Sequence, residues 1–258
     1  MDIPGVIDSH AHVDFPSFDR DRVQVLARAW AAGLVALVNP GADLASSRRA
    51  VVLAGDEGRV WAAVGIHPHS ADEWAEAAAE IRALAHSRRV VAVGETGLDY
   101  YRMLCPAVVQ KEALRGHVRL ARELGLPLIL HCRDAHQDLF PLLREEKANE
   151  VGGVLHCFSG GEEEAARALD LGLHLGFTGT VTYPNAAPLR AVAAGIPLER
   201  LLVETDCPYL APHPWRGKRN EPAYVVRVVE TVAQVRGLTP AEVAGAAATN
   251  ARRLFRHA

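Results

Sequence analysis

The stretch VIDSHAHVD at residues 6–14 decides the reading of this chain, because an apolar, strand-like start runs straight into His10 and His12, two residues apart. In an extended strand, residues i and i+2 share a face, so both imidazoles can reach one ion. The same pattern recurs along the chain: apolar runs begin at Val6, Leu34, Val60, Val90, Pro127, Gly153, Leu173 and Leu201. Between them, segments 21–32, 44–54, 70–86, 107–124, 135–147, 162–171 and 187–194 carry Ala, Leu and Val at helical spacing. Two more such segments, 222–236 and 240–254, follow the eighth run. Eight strands alternating with helices imply parallel pairing through right-handed crossovers and closure as an α/β protein, a (β/α)8 TIM-type barrel. An open doubly wound sheet would instead need a glycine-rich phosphate loop after its first strand, where this chain has SHAHVD. No linker, low-complexity segment or short repeat divides the sequence, so residues 1–258 are expected to form a single domain.

Composition narrows the class. With 49% hydrophobic and 23% charged residues the chain has no case for disorder, and 258 residues can bury a large core. A formal net charge of -3 removes any global basic footprint, so attraction to nucleic acid would have to come from local arginines and bound cations. The start MDIPGVIDSH lacks a secretion pattern, and no stretch is apolar for long enough to span a bilayer. A cytoplasmic protein with no membrane partner is expected. Cys105, Cys132, Cys157 and Cys207 form no CxxC and read as reduced, packed thiols. Alternation along a strand places Cys132 and Cys157 against the barrel wall if His131 and His156 face a site.

Candidate ligands fall at the C-terminal ends of the apolar runs: His10 and His12 at the first, Glu95 at the fourth, His131 at the fifth, His156 at the sixth and Asp206 at the eighth. That rim is where such barrels build their sites. Six ligand-type residues there would hold two divalent ions, with Zn, Mn, Co, Fe or Mg all compatible with imidazole and carboxylate. Two ions need a bridging group. Lys111, Lys147 and Lys218 all lie away from the strand ends, so the bridge is expected to be a carboxylate, Glu95. Asp206 is then free to bind one ion and take a proton from water, whose pKa a divalent ion lowers towards about 7.

The loops offer anion-binding groups: His67 and His69 in GIHPH, Arg133 beside His131, and Arg216, Lys218 and Arg219 in the late loop. His67, Arg133, Arg216 and Lys218 are the candidate substrate contacts, although the late basic loop reads equally well as a solvated charge run. Trp215, Tyr100 and Tyr101 are expected to pack at the core or rim.

The ordered motifs DSHAHVD from Asp8, GIHPH from Gly65, GETGLDYY from Gly94, PLILHCRDA from Pro127, HCFSG from His156, ETDCPYLAP from Glu204, RGKRNEP from Arg216 and TNARRLF from Thr249 span nearly the whole sequence. Together they resemble the TatD family of metal-dependent deoxyribonucleases, within the amidohydrolase-type barrels. The resemblance implies two divalent ions, one held by His10, His12, Glu95 and Asp206 and the other by Glu95, His131 and His156. It further implies hydrolysis of DNA, often as a 3'-to-5' exonuclease on single strands, with links to DNA repair, and it gives His67 and the RGKRNEP loop to substrate phosphate. The chain departs from the family pattern at Thr96, next to the shared ligand, and at Leu114 and His117 in the following helix, where packing is the expected concern. No departure removes a ligand.

Two other readings share these residues. The same metal centre could hydrolyse an ester or amide, such as a lactone or the aminoacyl ester of a tRNA, and the ligands by themselves do not separate this from phosphodiester cleavage. A non-catalytic metal-binding scaffold is the reading of another class, and the presence of both Glu95 and Asp206 speaks against it.

Overall fold

A computed structural model describes residues 5–255. Eight strands, β1 (Val6–Asp8), β2 (Leu34–Pro40), β3 (Val60–Val64), β4 (Val90–Asp99), β5 (Leu128–Arg133), β6 (Gly153–Leu155), β7 (His174–Phe177) and β8 (Leu201–Val203), form one parallel sheet in sequence order. Helices α1 (Arg22–Ala31), α2 (Leu44–Asp56), α3 (Trp74–Ala85), α4 (Ala107–Leu124), α5 (His136–Glu145), α6 (Glu162–Asp170) and α7 (Ala187–Gly195) alternate with the strands. After β8 come α8 (Val225–Arg236) and α9 (Pro240–Leu254). The expected (β/α)8 barrel is the architecture found. No helix among the described residues is long and apolar enough to cross a membrane.

The sheet closes where β1 and β8 end. Ser9 N–H donates to Val203 O at 3.1 Å, Asp206 N–H to His10 O at 2.8 Å, and His12 N–H to Cys207 O at 2.9 Å. Strand alternation fills the barrel interior with Ile7, Val38, Trp61, Ile129, Val154 and Leu202, which pack with Ala248, Ala251 and Phe255 from the chain's C-terminal part. Most of these interior residues lie near strand starts, so α9 covers the N-terminal end of the barrel. Asn250 anchors it there, its Nδ2 donating to Leu198 O at 2.8 Å and Leu201 O at 2.9 Å. The opposite end stays open.

Local chemistry sets several boundaries. Asp43 and Ser46 form a capping box at the start of α2, and α4 ends at Gly125 in the left-handed region, φ 65°. Segment 70–86 is not one continuous helix; residues 68–73 are a 3-10 turn that leads into α3. Helix α5 stops at Glu145, leaving Lys147 outside it with φ 57°. In β4, Gly97 has φ 150°, and a Cβ there would stand 1.9 Å from the His131 carbonyl oxygen. Only glycine permits so close an approach of β4 to β5 at this level.

His117 of α4 is fully buried, with its ring against Trp74 at 3.8 Å between centroids. Its Nδ1–H donates to Ala113 O at 2.7 Å, and its Nε2 accepts the Ile66 N–H at 2.9 Å, fixing the backbone just before His67. Burial pushes the ring's pKa down from 6.5 to about 4. As pH falls the unfolded chain takes this proton first, so the neutral ring's contribution is present above pH 6.5 and is lost on descent towards pH 4. A glutamine can accept the same N–H without titrating. In urea unfolding at pH 7 and pH 4, His117→Gln should therefore lose about 3 kcal/mol less stability between the two than the wild type. Equal losses in the two proteins would refute the buried neutral ring.

Candidate active site

Most of the polar groups at the open end continue interior rows of the barrel. Ile129 and His131 are two residues apart in β5, Val154 precedes His156 by two, and Leu202 leads by even steps to Glu204 and Asp206 beyond β8. His10 and His12 get there differently: β1 ends at Asp8, so the shared strand face expected from their spacing is not what aligns them. Backbone bonds across the barrel seam hold them beside Asp206 and Cys207 instead.

Glu95 stands at the centre, 3% exposed. Its Oε2 lies 3.2 Å from His10 Nε2 and 3.6 Å from His12 Nε2, nitrogens that are 3.1 Å apart, and Asp206 Oδ1 is 3.7 and 3.6 Å from the same pair. Its Oε1 lies 2.8 Å from His156 Nε2, 3.0 Å from His131 Nδ1 and 3.3 Å from His67 Nε2. Donor atoms about 2.1 Å from a tetrahedral ion stand roughly 3.4 Å from one another. The spacings around Oε2 bracket that value and those around Oε1 all fall below it, so the first set fits a cation as it stands and the second fits one after a small outward shift.

The outer ring nitrogens distinguish ligands from hydrogen-bond donors. His12 Nδ1 is 3.2 Å from Pro40 O and His131 Nε2 is 3.2 Å from Asp99 Oδ2. Both neighbours accept only, so the outer nitrogen keeps a proton, and the inner nitrogen is the one that can donate to Glu95 or, once deprotonated, ligate a cation. His156 turns Nδ1 towards Glu204 Oε1 at 3.5 Å, a charge contact without a hydrogen bond that leaves Nε2 facing Glu95. His67 is the reverse case. Its Nδ1 accepts the His69 N–H at 3.1 Å, and burial pushes its pKa down to about 4, so the neutral ring presents Nε2–H to the cavity. His67 is thus a donor suited to an anionic oxygen, while the other three are suited to a cation.

Two buried carboxylates that the sequence reading did not single out support the histidines. Asp99 accepts from His69 Nε2 at 2.8 Å and from Arg102 N–H at 2.7 Å, besides facing His131. Burial by itself would raise its pKa, but the bonds from His131, Arg102 and His69 outweigh that and hold it well below the usual carboxylate range. Glu204 accepts from Cys157 N–H at 2.5 Å and Ser9 Oγ–H at 3.1 Å. Both carboxylates were legible by parity, since Asp99 is four residues past Glu95 in β4 and Glu204 is two before Asp206. Burial raises Asp206 to about 6.

A cavity of 610 Å³ opens above these groups, lined among others by His67, Arg102, Arg133, Phe15 and Tyr209. Arg133 lies 3.9 Å over the exposed Tyr101 ring. Arg216 and Lys218 are not among the lining residues: the Arg216 guanidinium sits 4.5 Å over Tyr183, and the Lys218 N–H donates to Trp215 O. Trp215 stacks on Tyr224 at 4.4 Å, and Tyr100 donates to Asp138, so both pack rather than face the cavity. Cys132 and Cys157, expected against the wall, also line the cavity. Cys157 follows the end of β6 and has φ 44°, so strand alternation no longer sets its direction.

Comparison with known proteins places this geometry. The family model described as TatD related DNase matches residues 7–256. A Bacillus subtilis protein named uncharacterized metal-dependent hydrolase YabD is 42% identical, over 97% of this chain and 99% of its own. A Cronobacter sakazakii protein named 3'-5' ssDNA/RNA exonuclease TatD is 42% identical, over 97% of each chain. The crystal structure of the Escherichia coli TatD homolog YjjV superposes with a TM-score of 0.92 at 34% identity, over 99% of this chain and 100% of that one.

Asp99 orients His131 through a hydrogen bond that Asn can make only weakly. Asp99→Asn should weaken binding of cobalt(II), followed by its visible absorption, by about 10- to 100-fold. Wild-type affinity in that variant would remove Asp99 from the support of the site.

Proposed function

The chain belongs to the TatD-related DNase family of metal-dependent hydrolases, and from that premise we propose that it is a two-metal nuclease removing nucleotides from the 3' end of single-stranded DNA. The observation that carries the reading is the division of Glu95, with one oxygen facing His10 and His12, which Asp206 also approaches, and the other facing His131, His156 and the donor His67. In this reading His10, His12, Glu95 and Asp206 hold one divalent ion, and Glu95, His131 and His156 the other. Bound there, Mg, Mn, Zn, Co or Fe would supply Lewis-acid stabilisation of a phosphodiester and make water a usable nucleophile near neutral pH. The direction of attack and the single-stranded substrate are taken from the name of the Cronobacter relative.

The chain's own residues then divide the work. Asp206 has a side chain 14% exposed against 4% for Glu95 and lines the cavity, so it is the carboxylate placed to take the proton from attacking water. His67 donates Nε2–H to a phosphate oxygen. Arg133 and Arg102, both in the cavity wall, balance the charge of the phosphate under attack and of its neighbour. Arg216 and Lys218, outside that wall, are left for phosphates farther along the strand, where weak local attraction suits a chain of net charge -3.

With Mg or Mn, a 5'-labelled single-stranded oligonucleotide should shorten as a ladder from its 3' end, and EDTA or Glu95→Ala should abolish the ladder. Asp206→Asn should lower kcat by about 100- to 10,000-fold, as loss of a general base does. Intact DNA in the presence of protein with metal demonstrably bound would sink the nuclease reading.

A further inference from the structure

We propose that Phe15 and Tyr209 form the pocket for the terminal base of the strand, with Arg102 and Arg133 facing them across the cavity to take its phosphates. The proposal rests on the nuclease reading and adds how the strand end is recognised.

Topology sets the two walls opposite each other. Phe15 follows β1 and Tyr209 follows β8, neighbours at the seam, whereas Arg102 follows β4 and Arg133 ends β5, halfway round an eight-stranded barrel. The cavity lining therefore carries aromatic rings and guanidinium groups rooted on opposite sides of the barrel, complementary to the base and the phosphate at the two ends of a nucleotide. Its 610 Å³ falls within the ~300–1,000 Å³ of small-molecule sites.

The aromatic wall has the form of a corner. The Phe15 ring lies parallel to His12 at 4.9 Å and 10°, so its position is tied to a proposed ligand. Tyr209 stands across it at 5.9 Å and 83°. A base can stack on one ring and meet the other edge-on. Of the large apolar side chains that are exposed among the described residues, Tyr209, at 55%, is the one that lines the cavity. Its exposure does not come from a loose loop. Its N–H donates to Asp206 O at 2.9 Å, and Asn220 Nδ2 donates to its carbonyl at 2.6 Å and to Thr205 O at 2.8 Å. A rigid backbone thus presents an open aromatic face beside the metal ligands, which lowers the ordering cost of binding.

Such a corner also selects strands. A base inside a duplex has both faces stacked, while a free 3' end can turn its face to a protein ring at little cost.

The test is a cycle between Tyr209 and the terminal base. On an ordinary single-stranded oligonucleotide, Tyr209→Ala should raise KM about tenfold with a smaller change in kcat, and Tyr209→Phe should restore it, as expected for one stacked base. On the same oligonucleotide ending in a 3' abasic residue, wild type and Tyr209→Ala should have the same KM. An equal penalty on both substrates would overturn the base pocket while leaving the nuclease reading intact. If wild type cleaves neither, the nuclease reading falls, and the pocket is decided by binding in EDTA of an oligonucleotide with a 3'-terminal 2-aminopurine. Quenching by wild type that is lost in Tyr209→Ala upholds it, and equal signals reject it.

Discussion

Eight parallel strands leave two edges that must be joined, and the whole arrangement depends on how β1 and β8 meet. The bonds from Ser9 to Val203, Asp206 to His10 and His12 to Cys207 make that joint. Two of the three use the backbone of candidate metal ligands. Barrel closure and ligand placement are therefore one event, and the His10, His12 and Asp206 side chains inherit the stiffness of a closed sheet. A deep second layer reinforces the joint, with Asp8 accepting from the Thr205 hydroxyl at 2.6 Å and from the Thr205 N–H at 3.0 Å.

Glu95 poses the opposite problem, since a buried carboxylate must be balanced on the spot. Burial would raise its pKa, yet His156, His67 and His10 around it hold it well below the usual range. His131 and His12 are backed by Asp99 and the Pro40 carbonyl, and His156 faces Glu204, so these three rings have a fixed direction. The late loop is held in a comparable way from outside, where Arg28 pairs with Glu221 at 2.7 Å and Arg219 with Asp21 at 2.6 Å. Arg219 is thereby engaged in tethering the segment that carries Arg216 and Lys218.

The sequence revealed the barrel because buried parallel strands read as short apolar runs and amphipathic helices as longer periodic ones. All eight runs became strands, and α4 spans the residues its spacing predicted. The residues gathered around Glu95 were visible because ligand types recur at the ends of those runs. What the sequence hid depended on backbone geometry beyond the ladders. The HxH pair was aligned by the seam rather than by alternation, and Cys157 turned into the cavity through a left-handed residue. Asp99 and Glu204 were within reach of parity, but a carboxylate inside a strand motif carries no mark of the partner it will find. Arg102 and Tyr209 lie in loops, where no period predicts direction, and the late loop drew attention by its charge although the cavity wall is built from other arginines.

The covering of the barrel's N-terminal end by α9, with Phe255 at 6.5 Å from Trp61, makes the interior a dead end. Nothing can thread through the axis, so whatever enters the cavity must leave by the same door. For a strand shortened one unit at a time, the released unit and the advancing end would compete for a single exit.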